Sequence, residues 1–221
     1  RGQGADPQVI RARRPRLAQL AEHTLRDALP LAAPVAAYQR LGVKKVLHDV
    51  VILENGGKLS GPLVARMLAP ARAVIAAVCT IGPALETLSL QALESDPPLS
   101  LALYGVGSAA VEALSRAVCR HFGEQAAAQG WQSTAPLSPG LEGWPLAAGQ
   151  AEIFALVPEA AQIGVTLLPS SVMLPRKSVS LVIGLGPGVD AQSTVCDFCA
   201  ARQACRHRGQ IHTPSTNFDR E

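Results

Sequence analysis

The longest apolar run in the chain, Ala73 to Leu85, is bracketed by Arg72 and Glu86 and falls short of the roughly 20 residues a bilayer crossing requires. The run must therefore be buried inside a folded core. Its first part, Ala73-Val74-Ile75-Ala76-Ala77-Val78-Cys79-Thr80, reads as a strand, although the alanines leave a buried helix open. The chain's 221 residues suit one core, with or without a small appendage, since cores commonly grow to about 200 residues before splitting. Hydrophobic residues make up 48% but aromatics only 4%. Small aliphatic side chains must then fill the interior, and helices should approach closely.

Other elements follow from periodicity and breakers. Leu17 to Leu29 and Pro34 to Leu41 have helix-compatible spacing, interrupted at Pro30 and Gly42. Val46 to Leu53 reads as a strand ending at Asn55-Gly56-Gly57. Ser60 to Leu68 reads as a helix, with Ser60 as N-cap and Pro62 in the first turn. A long packing helix spans about Leu99 to Ala128. On it Gly107, Val111, Leu114 and Val118 share one face, and Ser108, Glu112, Ser115 and Cys119 an adjacent one. The chain is Gly, Pro and Ser rich from Gln129 to Trp144. A helix from Leu146 to Leu156 and strands at Ile163 to Leu168 and Ser178 to Leu185 complete the pattern. Strands so few and so unevenly spaced do not make a doubly wound sheet. The expected fold is α+β, with a mixed, mostly antiparallel sheet and packed helices. Residues 1–16 read as a flexible lead-in, 17–190 as the domain and 191–221 as a cysteine-bearing tail.

A formal charge of +3, with 17% charged residues, gives no broad field for nucleic acid or an anionic membrane. No secretion signal is visible, so the expected location is cytoplasmic. Three of the five cysteines cluster in the tail. Cys196 and Cys199 form a CxxC pair, and Cys205 follows after five more residues. This spacing lets three thiolates converge on one metal, either zinc or an iron–sulfur cluster. A fourth position would fall to Cys79, Cys119, His207, His212, a non-protein ligand or a partner. Cys79 and Cys119 also suit buried small hydrophobes. Arg202, Arg206, His207 and Arg208 could offset an anionic cluster or form a solvated basic loop. Gly184-Leu185-Gly186-Pro187-Gly188 lacks the helix that a phosphate loop must open, and reads as a turn.

A further set of short signatures occurs in order: Thr80-Ile81-Gly82, Gly107-Ser108-Ala109-Ala110-Val111-Glu112, Ser138-Pro139-Gly140, Trp144-Pro145-Leu146, Gln150, Ile163-Gly164-Val165-Thr166-Leu167, Ser170, Met173, Pro175 and Lys177-Ser178-Val179-Ser180. Together they resemble the activation-domain family of vitamin B12-dependent methionine synthase, over roughly residues 45 to 188. The cysteine tail resembles that of its stand-alone members. The resemblance implies a domain that binds S-adenosylmethionine and presents it to cobalamin oxidised to the inactive cob(II)alamin. It assigns Glu112 to the ligand's amino group and the Ser138 to Gly140 backbone to its pocket; otherwise Glu112 is a solvated helix carboxylate.

The chain also departs from the pattern. Pro136 stands where the family has an arginine suited to clamping the ligand carboxylate. Leu141 replaces a tyrosine, Leu168-Pro169-Ser170 a Thr-Glu-Ser, and Leu181 a glycine. Weak or lost ligand binding is the expected consequence.

The resulting expectation is an accessory activation or redox protein for a cobalamin-dependent methyltransferase. Cys196, Cys199 and Cys205 would hold an iron–sulfur cluster, of 4Fe-4S type, and the partners would be a corrinoid protein and an electron donor. The alternatives are a zinc-braced binding module that docks on a corrinoid protein, and an S-adenosylmethionine:corrinoid methyltransferase.

Overall fold

The fold was obtained as a computed structural model that describes residues 7–199, 203 and 204. Two N-terminal helices, α1 (Pro7–Arg13) and α2 (Pro15–Ala28), lead into strands β1 (Val35–Leu47), β2 (Val50–Leu53) and β3 (Lys58–Ser60). There follow α3 (Pro62–Leu68), β4 (Ala73–Thr80), α4 (Ala84–Ala92), the long α5 (Pro97–Ala127) and β5 (Gln132–Ser133). The order ends with α6 (Leu146–Leu156), β6 (Thr166–Leu167), β7 (Met173–Leu174) and β8 (Ser178–Gly186). The sheet order is β3-β2-β1-β4-β8-β5, and every strand pair is antiparallel, so the α+β expectation holds.

All eight residues of β4 are buried because both faces of the strand are covered. Val74, Ala76 and Val78 pack on one side with Leu68, Leu137, Trp144, Ile153 and Val182. Ile75 and Ala77 point the other way, to Phe122 and Ala126 of α5 and to Leu181, Ile183 and Leu185 of β8. This double coverage explains why the run shows no polar alternation. A third cluster, including Ala28, Ile81, Leu85, Leu103 and Val106, joins α2, α4 and α5. Burying mid-sized aliphatic side chains at about 25 cal/mol per Å² makes these three clusters the main source of stability.

The helix expected over Pro34 to Leu41 is instead the first half of β1. Val35 to Gly42 pair residue by residue with β4, and this long-range ladder overrides the helix preference of Ala36 and Ala37. Beyond a register shift between Val43 and Lys45, β1 pairs with β2, so one strand serves two ladders. The strand expected over Val46 to Leu53 is a hairpin that turns at His48 and Asp49. His48 has φ 43°, a left-handed conformation that His tolerates better than most residues.

Ser60 belongs to β3, and Gly61 caps α3 in its place. Gly61 has φ 147°, and a Cβ there would lie 2.5 Å from the carbonyl oxygen of Gly143. Gly184 and Gly186 lie within β8 rather than in a turn. Side chains at these two positions would collide with Leu68 and with the Pro70 carbonyl. The strand expected over Ile163 to Leu168 shrinks to the two residues of β6, paired with β7.

Candidate functional site

The sequence signatures gather around β8. At its start, Ile81 N donates to the Lys177 carbonyl at 3.2 Å and Ser178 Oγ to Thr80 Oγ1 at 2.9 Å. Lys177 runs its stem across Gly107, where a Cβ would sit 3.2 Å from the lysine carbons. This close passage is one physical reason for the small residues in that part of α5. The Lys177 ammonium donates to Ser108 Oγ at 2.8 Å and lies 3.1 Å from the centre of the Tyr104 ring. Lys177 is only 5% exposed, and among the described residues no carboxylate lies within ion-pair distance of it. Burial depresses its pKa, and Glu86 partly offsets this. Glu86 itself accepts from the Arg176 backbone at 2.7 Å.

Glu112 follows Ser108 by one helical turn and is partly exposed. Its carboxylate accepts from Arg116 at 2.7 Å. Tyr104, Ser108, Glu112 and Arg116 therefore form a polar stripe along α5, with Lys177 at one end.

On the neighbouring edge, Leu137 exchanges two 2.8 Å backbone hydrogen bonds with Val182 and turns its side chain into the core opposite α5. Alternation in extended chain then directs Pro136 and Ser138, on either side of Leu137, toward the α5 face. Next comes a tight turn. Leu141 N donates to the Ser138 carbonyl, Gly140 N to the Trp144 carbonyl and Trp144 N to the Leu141 carbonyl. Gly140 takes φ 97°, which favours glycine. Trp144 is fully buried, and its indole N–H donates to Glu152 at 3.3 Å. Gly149 of α6 leaves room for that ring. Gln150 is also a support, since its amide oxygen accepts from Ser180 at 2.9 Å inside the core.

The cysteine turn docks beside this segment. Cys196 and Cys199 are partly exposed, carry no disulfide and bound a single 3₁₀ turn over Val195–Phe198. Thr194 and Asp197 cap the turn reciprocally: Asp197 accepts from the Thr194 amide and hydroxyl, and Asp197 N donates back to the Thr194 carbonyl. Phe198 packs against the core beside α3, with the Arg66 guanidinium 5.8 Å from its ring centre. The Glu142 amide donates to the Phe198 carbonyl at 3.5 Å, which ties the cysteine turn to the Ser138 to Trp144 turn. A pocket of about 250 Å³ beside it is lined by Arg66, Met67, Pro70, Asp190 and Phe198.

The two upstream cysteines do not join this centre. Cys79 and Cys119 interact with each other beneath α5, on the far side of the sheet from Phe198. Burial pushes their thiols up to about 12 and about 11. Cys205, His207 and His212 lie outside the described residues, as do Arg202, Arg206 and Arg208. Among the described residues no three metal-ligating side chains converge. The two described thiols fit a thiolate-bound centre in being free and partly exposed, and Cys205, outside the described residues, is the third candidate ligand.

A groove of about 540 Å³ lies between α2, α4 and α5. It is mainly apolar and is lined by none of the signature residues. Sequence reasoning missed two residues at the site. Phe198 looked like a spacer within CxxC, and Lys177 part of a strand signature; neither position carries a local signal of its contacts.

The fold defines a class: an antiparallel α+β domain in which a long helix covers one face of the sheet and a tight turn follows its edge. Within that class, the crystal structure of the MetH reactivation domain bound to AdoHcy matches with a TM-score of 0.62, covering 86% of this chain and 71% of that one at 15% identity. The chain thus has the fold of that domain. It matches no protein-family model and no curated protein. Among the described residues no helix is long and apolar enough to cross a membrane.

Proposed function

We propose that this protein is an accessory activation protein for a cobalamin-dependent methyltransferase, carrying an iron–sulfur centre on Cys196, Cys199 and Cys205 next to a slot for S-adenosylmethionine. The observation that carries this reading is the contact between the cysteine turn and the Ser138 to Trp144 turn, through Glu142 N and the Phe198 carbonyl, on the fold of the MetH reactivation domain. AdoHcy, which that domain binds, is S-adenosylmethionine without its transferable methyl group.

When bound, the iron–sulfur centre supplies one-electron transfer at low potential, cluster potentials reaching about −700 mV. The chain's own residues position the reactants. Gly140 shapes a turn whose backbone lines the slot, Glu112 offers a carboxylate to the ligand's amino group, and Phe198 fixes the cysteine turn alongside. Toward a partner's cob(II)alamin as substrate, the centre on Cys196, Cys199 and Cys205 would supply one electron, and Glu112 with the Ser138 to Gly140 turn would hold S-adenosylmethionine so that its methyl group passes to the reduced cobalt and S-adenosylhomocysteine leaves. The irreversible transfer draws the unfavourable reduction forward, while the corrinoid carries the chemistry.

The test is anaerobic incubation of the reduced full chain with a cob(II)alamin-loaded corrinoid protein and S-adenosylmethionine, followed by visible spectra. Formation of methylcob(III)alamin with the native chain, and its loss with Cys199→Ser, is expected. Equal formation with both proteins would remove the cysteine centre from the function.

A further inference from the structure

A lysine buried to 5% exposure has one neutral oxygen as its hydrogen-bond acceptor, and Glu86 offsets its positive charge only in part, from beyond ion-pair distance. Three N–H donors face one hydroxyl and one ring face, an expensive arrangement unless an anion completes it. The surroundings fit such an anion. Tyr104 forms an accessible rim, 52% exposed, and Ser108 holds the ammonium in place. Glu112, the next polar side chain on the stripe, lies about 6 Å further along the helix axis at 1.5 Å rise per residue. A cation and a carboxylate separated by one helical turn match the two ends of an α-amino-acid zwitterion. Pro136, meanwhile, offers no charge from the edge segment.

We infer that Lys177 is the carboxylate-binding residue of the slot, holding the amino-acid end of the ligand against α5 while Glu112 takes the amino group. The inference rests on the S-adenosylmethionine reading and deepens it: the fold keeps amino-acid recognition but draws the cation from the start of β8. Ser108 and Tyr104 are positioning residues. Gly107 is needed because any larger side chain would displace the lysine stem.

Calorimetric titration of the full chain with three probes tests this: S-adenosylmethionine, its decarboxylated form, and 5′-methylthioadenosine, which lacks the whole amino-acid end. Native protein should bind the decarboxylated form at least ten-fold more weakly than S-adenosylmethionine, which reads carboxylate recognition without any substitution. Lys177→Met should lose ten-fold or more in affinity for S-adenosylmethionine while leaving 5′-methylthioadenosine unchanged, and Lys177→Arg should recover part of the loss. Equal affinity of native protein for the first two probes would overturn the role of Lys177, as would tight S-adenosylmethionine binding by Lys177→Met; both leave the functional reading standing. Failure of native protein to bind any of the three would overturn the ligand reading itself, and the inference with it.

Discussion

The polar stripe along α5, where the slot is proposed, and the cysteine turn are built in opposite ways. The stripe is framed by elements that also make the core: α5 closes one face of β4 and β8, and the edge segment enters the sheet through Leu137. The cysteine turn is an attachment, held by the ring of Phe198, one amide from Glu142 and local caps at Thr194 and Asp190. Asp190 accepts from the amides of Gln192 and Ser193 and from the Ser193 hydroxyl, and these bonds hold its pKa below the usual carboxylate range. The difference teaches that the proposed ligand slot is inseparable from folding, whereas the cysteine turn can be altered with little effect on the domain.

The largest expected effect breaks the slot's frame. Trp144→Ala removes a fully buried ring at the end of the Ser138 to Trp144 turn and leaves Glu152 without its indole donor. It should cost about 3–5 kcal/mol in chemical denaturation. A cost below about 1 kcal/mol would show that the turn folds independently of the core.

Lys177→Met should act in the other direction, stabilising the unliganded protein by about 1–3 kcal/mol, because it removes a buried charge that Glu86 offsets only in part. The sign with pH follows from the depressed native pKa. Below that pKa both folded and unfolded chains hold the proton, and the cost of burying the charge is fully present. As pH rises toward the ordinary lysine value of 10.5, the unfolded chain holds more protons than the native one, so native stability climbs. The advantage of Lys177→Met should therefore shrink as melts are taken from neutral pH toward 10.5. An advantage constant with pH would mean that the native lysine titrates normally.

Phe198→Ala should cost only about 1 kcal/mol, since the ring is partly buried, yet it should release the cysteine turn. Alkylation of Cys196 and Cys199 in metal-free protein should speed up several-fold, and unchanged rates would mean that the caps alone hold the turn. Smallest of all, Arg116→Ala breaks an exposed ion pair with Glu112 and should shift stability by no more than about 0.5 kcal/mol.

Some of this was legible in the residues and some was not. The apolar run of β4, the long α5 and the strand β8 follow directly from composition and spacing. β1 was not legible, because its strand character comes from a partner more than thirty residues away rather than from its alanines. The hairpin at His48 was hidden for a related reason: His-Asp is a weaker turn signal than Asn-Gly. At the site, spacing singled out the CxxC pair and the family resemblance pointed to Glu112, Ser138 and Gly140, but the roles of Lys177 and Phe198 depend on contacts across 69 and 56 residues, with Ser108 and Glu142. No local pattern encodes such contacts.

The central claim is that the tail adds a redox centre, rather than a zinc brace, to this fold. Anaerobic iron, sulfide and zinc analysis, with visible and EPR spectra of the native chain and Cys199→Ser, tests it most directly. The account predicts iron and sulfide at cluster stoichiometry in the native protein and their loss in Cys199→Ser, with the domain's melting temperature little changed. One zinc per chain, with no visible absorbance, would contradict it.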